Sequence, residues 1–166
     1  MQCALGDEGM AMMRGEFTSI SLIHKHLPTL VPKPHGWGKY QKSLDSSQVT
    51  YFFMEDFLDM DIIIPEPGRC TARIAELHRA IPSPNGMSGF SVTTCDGKVP
   101  HTVGWTSTWT EFYTNLLLGV IKHGNDQNGV WPEFERATSR LVDKIIPRLL
   151  DNLTFNGEPI KPTFLH

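Results

Sequence analysis

Val49-Thr50-Tyr51-Phe52-Phe53-Met54, followed directly by Glu55-Asp56-Phe57-Leu58-Asp59-Met60-Asp61, is the stretch on which the fold turns. Its first half is aromatic and β-branched, the composition that fits a pleated surface. Apolar and polar residues do not alternate there, so burial on both faces is expected. Its second half turns acidic, and Pro65, Pro67 and Gly68 then break the chain. The reading is a buried strand that runs into a short acidic connection.

Upstream, Gln41 to Gln48 is polar and suits a turn, and His35 to Tyr40 suits a short strand. Pro28, Pro32 and Pro34 hold the preceding segment extended, because residues before proline avoid helical angles. Met13, Phe17, Ile20 and Leu27 fall near a 3.6-residue period, which predicts a helix over Met10 to His26, ended by Pro28. Downstream, Cys70 to Ala80 predicts a helix with Ile74, Leu77, His78 and Ile81 on one side. Pro82 to His101 reads as a long loop with a small hairpin at Asp96-Gly97. Ser107 or Thr108 caps a helix that runs to about Lys122 and is closed by Gly124. Pro132 opens a last helix, bent at Pro147. Glu158 to His166 reads as a loop leading into a strand, Pro162 to Leu165. The fold class is α+β: a helix, two strands, then mostly helices.

The 166 residues suffice for one domain of ordinary size. Fifteen basic against eighteen acidic residues give a net charge of −3, which argues against a nucleic-acid partner. No apolar run is long enough to cross a bilayer, so no membrane partner is expected. The first eight residues lack a basic region followed by an apolar stretch, so no signal peptide is read. Cys3, Cys70 and Cys95 are odd in number and widely spaced, which reads as reduced thiols in a cytoplasmic protein. The sequon Asn152-Leu153-Thr154 is then read as chance.

Each candidate for chemistry has an ordinary alternative. The strand ending at Met54-Glu55-Asp56-Phe57 offers backbone N–H and C=O groups that can bind an adenine ring, or it is simply a solvated strand end. Glu16, on the inner face of the first helix, can pair with a strand lysine as in kinase-like small lobes, or it faces water. His24 and His26 point apart on a helix and could share a metal only if the helix had ended. His78 reads as a packed helix histidine. Trp105 and Trp109, four apart, can stack on a sugar or belong to the core. The chain contains no hydrolase elbow, no phosphate loop of the G-x-x-x-x-G-K type and no G-x-G-x-x-G fingerprint.

One family carries the same motifs in the same order. They are Met13-Arg14-Gly15-Glu16-Phe17, Val31-Pro32-Lys33-Pro34, Phe53-Met54-Glu55-Asp56-Phe57, Ala75-Glu76-Leu77-His78 and Ser83-Pro84-Asn85-Gly86. Gly89-Phe90, Trp109 with Phe112-Tyr113, Ile145 to Leu150 and Leu165-His166 follow. The series resembles the fructosamine kinases, also called ketosamine-3-kinases or protein-ribulosamine 3-kinases, especially fungal forms.

The resemblance implies a protein-kinase-like fold related to aminoglycoside phosphotransferases. It implies that residues 1–54 are a partial small lobe, 55–61 the linker and 62–166 the start of a helical lobe. It implies ATP and Mg2+ as cofactors, and a ketosamine, free or on glycated protein, as substrate. The 3-hydroxyl would be phosphorylated and the unstable product would fall away, repairing the protein. Glu16 matches the helix glutamate that pairs with the nucleotide-binding lysine, and Glu55, Asp56 and Phe57 match the adenine linker. By spacing the lysine falls at about Gln2. His166 matches the first residue of the catalytic loop, whose aspartate is not among these residues. The expectation is a family member truncated at both ends, inactive as written. The alternatives are a non-catalytic ligand- or protein-binding piece, or a pseudokinase-like nucleotide binder.

Overall fold

The computed structural model describes residues 1–41 and 48–164. Most of the polar turn expected over 41–48, as well as Leu165 and His166, lies outside them. The described residues form two compact units, Met1–Pro82 with Thr163 and Phe164, and Ser83–Pro162.

In the first unit, β1 (Gln2–Leu5) leads into α1 (Gly6–His26), followed by β2 (Pro34–Tyr40), β3 (Thr50–Glu55) and α2 (Pro67–Ala80). The sheet is antiparallel in the order β1-β3-β2, so the aromatic strand is central. Its Phe53 is fully buried and meets Phe17 of α1 edge-on, with ring centres 6.0 Å apart. Met13 is buried one helical turn before Phe17, on the same stripe of α1. Burial on both faces of β3 was expected, and this is corrected. Met54 is 43% exposed, because α1 lies on the Phe53 face and the pleat turns Met54 to the other.

The expectation of two strands is also corrected, to three. Gln2-Cys3-Ala4-Leu5 pairs with β3 over Gln2↔Phe53 to Leu5↔Thr50. Four residues without a β-branched side chain or alternation give no strand signal of their own. What admits them is Gly9. A Cβ there would lie 2.5 Å from the Ala4 carbonyl carbon, so only glycine lets α1 close on β1.

The far end of α1 meets α2 through a buried cluster of Ile23, Leu77 and Ile81. The expected apolar side of α2 is therefore its packed side. Glu66 caps this helix, its carboxylate accepting from the N–H groups of Gly68 and Arg69 at 2.8 and 2.7 Å. Thr163 forms an isolated bridge to Pro82, and its hydroxyl donates to the carbonyl of Ile81 at 3.0 Å.

The second unit contains β4 (Thr94–Asp96) and β5 (Val99–His101), α3 (Trp109–Asn128), α4 (Pro132–Arg140), a π-helical turn (Leu141–Ile145), α5 (Ile146–Leu150), and the pair β6 (Thr154–Phe155) and β7 (Glu158–Pro159). The hairpin expected at Asp96-Gly97 is present, with Gly97 at φ +56°. Thr108 caps α3 by accepting from the Glu111 N–H at 3.1 Å. The expected stop at Gly124 is corrected to Gly129, which takes φ +80°. Gly124 lies inside α3, bridged by the Lys122–Asp126 pair at 2.5 Å, and its carbonyl accepts from the Asn128 side chain. Pro147 does distort its helix. It has no N–H to donate, and the chain compensates just before it with a π turn, in which the Ile146 N–H reaches the carbonyl of Leu141. The second hairpin extends into the stretch expected as loop from Glu158 onward, which is corrected at β7. Asn156 and Gly157 have φ +53° and +81°, the pair a two-residue hairpin turn requires.

Candidate functional site

Gln2 and Glu16 come together. Register places Gln2 beside Phe53 on the central strand, and its side-chain amide donates to the Glu16 carboxylate at 3.2 Å. Glu16 reaches it from α1, directly before Phe17, whose ring fixes the helix on the sheet. The site is therefore built at one end of β1 and β3, with α1 supplying the acid. The residue at the end of β1 is neutral. An amide can hold Glu16 in place, but it brings no positive charge to a phosphate.

From Phe53, β3 continues through Glu55 and stops. Asp56 is then tied twice. Its N–H donates to the carbonyl of Lys33 at 2.9 Å, and its carboxylate meets the Nε2 of His35 at 2.5 Å. Glu55 pairs with Pro34 in the ladder. Phe57 is 89% exposed and begins an open run that continues through Ile62, Ile63 and Ile64. Glu55 and Asp56 thus have defined backbone positions, whereas the ring of Phe57 is left accessible. Among the sequence-predicted residues, Glu16 is brought against the expected lysine position, and 55–57 form the open end of the strand beside it. His166 lies outside the described residues.

His35 was read only as part of a strand. The local signal was Pro34-His35-Gly36, in which the register with β3 shifts by one residue and leaves His35 as the extra one.

The other candidates resolve as follows. The α1 helix continues through His26, so the His24 and His26 rings diverge. His78 is half-buried on the packed side of α2. The Trp109 ring stacks on Phe112 at 5.5 Å and lies 6.1 Å from Tyr113, at the start of α3, while Trp105 precedes the helix. The two tryptophans therefore do not share a helical face. A shallow hollow of about 430 Å3, lined by Leu5, Gly6, Asp7, Gln48, Val49 and Tyr51, lies at the opposite end of the sheet and contains none of the candidate residues. Among the described residues no group of three His, Cys, Asp or Glu side chains is placed to hold a metal ion, and no helix is long and apolar enough to cross a membrane. Cys3, Cys70 and Cys95 are not joined in disulfides.

The sequence profile of the family described as Fructosamine kinase matches residues 4–166. The chain is 28% identical over 159 residues to a protein of Arabidopsis thaliana named Protein-ribulosamine 3-kinase, chloroplastic. That alignment covers 95% of this chain and 44% of the relative, so the chain spans less than half the length of that curated protein.

Proposed function

This chain belongs to the fructosamine kinase family, and from that membership we propose that it carries the adenine-binding portion of a kinase acting on ketosamines. A kinase-type phosphotransfer chemistry follows at the level of the family. The substrate read for this chain is a ribulosamine or fructosamine, free or on glycated protein, phosphorylated at its 3-hydroxyl at the expense of ATP.

The observation that carries the reading is the Gln2–Glu16 contact beside the strand that runs into Glu55-Asp56-Phe57. A helix acid meeting a strand side chain, one strand away from an open strand end, is the arrangement that holds phosphates at one side and a base at the other. In this reading residues 1–54 are part of a small lobe, 55–61 the linker and 62–166 the start of the helical lobe of a protein-kinase-like fold. The backbone N–H and C=O groups of 55–57 bind the adenine edge, and the exposed Phe57 ring gives it an apolar neighbour. Glu16 orients whatever donor stands at position 2.

Mg2+ would neutralise phosphate charge in such a reaction. The described residues offer no cluster for it, so no step is routed through the ion. Residues 1–166 by themselves are expected to bind nucleotide without transferring phosphate.

The neutral side chain of Gln2 favours a second reading, a nucleotide binder without catalysis. Titration of the purified chain with Mg-ATP, with and without a ketoamine, separates the readings. A raised melting temperature without phosphorylated product is the expected result. ATP-dependent phosphorylation would overturn the inactivity, and absence of any ATP effect would overturn the nucleotide site. A cytoplasmic location is part of the proposal, consistent with cysteines not joined in disulfides, and cell fractionation tests it.

A further inference from the structure

We propose that His35 is a positioning residue that locks the start of the linker and thereby sets the preference for an adenine nucleotide over a bare triphosphate; this rests on the nucleotide-site reading above. Two observations meet at His35. The ladder between β2 and β3 pairs Pro34 with Glu55 and Gly36 with Met54, so two steps on β2 oppose one on β3. His35 is the inserted residue. A bulge of this kind turns a side chain away from the alternation of the strand and re-aims it. Here the ring reaches Asp56, the first residue beyond β3, at 2.5 Å.

An ionised carboxylate only accepts hydrogen bonds, so the ring nitrogen facing it carries the proton. Asp56 is therefore held through its side chain by His35 and through its N–H by the carbonyl of Lys33 at 2.9 Å. Both grips come from the entry of β2, and both act on the residue where the linker departs. The side chains are 40% and 51% exposed, so the contact adds little to global stability. Its consequence is local. It fixes the peptide planes that would face a base, while any phosphate contact lies across the sheet at Gln2 and Glu16. The base and phosphate ends can thus be loosened separately.

The test uses the whole chain with His35→Ala and His35→Gln, the latter retaining a donor. Amide hydrogen exchange at Asp56 to Leu58 is read without ligand, with the Ile23, Leu77 and Ile81 amides as the control. Binding of Mg-ATP and of Mg-tripolyphosphate is then compared. With alanine, linker exchange should accelerate and Mg-ATP binding should weaken by about two- to fivefold, the scale of one half-exposed contact. Tripolyphosphate binding and the control amides should not change, and glutamine should restore much of the loss. Unchanged linker exchange overturns the lock. An equal loss for ATP and tripolyphosphate overturns the selectivity. If the wild-type chain binds neither ligand, the nucleotide reading and the selectivity fall together, and exchange alone decides whether His35 holds the linker.

Discussion

Glu66 shows how one exposed carboxylate can shape its helix. The backbone N–H groups of Gly68 and then Arg69 hold its pKa below the usual carboxylate value, against a smaller upward push from desolvation. A folded pKa below the unfolded one means that the contribution is present above the unfolded value and is lost as pH falls through the folded one. The protection factors of the Gly68 and Arg69 amides, corrected for the intrinsic pH dependence of exchange, should therefore fall on acidification through the carboxylate range. Glu66→Gln should lower those protection factors at neutral pH and remove their pH dependence; wild-type protection that does not change with pH would contradict this. Glu133 is lowered likewise, first by its own N–H and then by Arg136. At the candidate site, Gln2→Lys should place an ammonium against Glu16 and enlarge the melting shift produced by Mg-ATP. No enlargement would mean that position 2 does not face the phosphates. Glu16, Glu55, Asp56 and Phe57 could be picked out as candidates, because their motifs are local. The His35–Asp56 contact could not, since it joins residues 21 positions apart that no motif links, whereas the Gln2–Glu16 pairing was implied by the family resemblance.

Elements succeed or fail on their local punctuation. The helices α1 and α2 were readable from period and proline, and α3 from its threonine cap. The extension of α3 past Gly124 was not, because a single glycine costs only about 1 kcal/mol in a helix, which neighbouring turns can offset. The Asn156-Gly157 turn was signalled by the dipeptide itself, but the flanking strands are two residues each and carry no pattern. β1 is held by tertiary contact, which gives a direct prediction. Gly9→Ala should push α1 from β1, since the new Cβ would sit 2.5 Å from the Ala4 carbonyl carbon. Loss of exchange protection at Ala4 and Gly6, whose N–H groups face β3 in this register, with the Ile23 and Leu77 amides unaffected, is the expected signature. Phe53→Ala removes the one large side chain that is fully buried among the described residues, and should cost about 3–5 kcal/mol in denaturant unfolding. A loss under 1 kcal/mol would show that α1 and the sheet repack around the vacancy.

At the scale of the whole chain, the apolar surface stands out. Ile62, Ile63 and Ile64 are 98%, 75% and 89% exposed, and Trp131, Leu149 and Phe155 are also largely open. Contiguous exposed apolar residues promote association. Light scattering should therefore show association that grows with concentration, and Ile63→Asp should reduce it. A monodisperse wild type at all concentrations would contradict this.

Local chemistry could be read without coordinates. Strand and helix periods, prolines, caps and an ordered set of short motifs are interactions within a few residues, and they were enough to give the α+β class, the family and the candidate acids. The third strand, the one-sided burial of β3, and the partner of Asp56 belong to the tertiary structure alone. They depend on which backbones can approach, as at Gly9, and on a one-residue shift in register, as at His35. Close approach and register are properties of pairs of segments, and neither segment encodes them by itself.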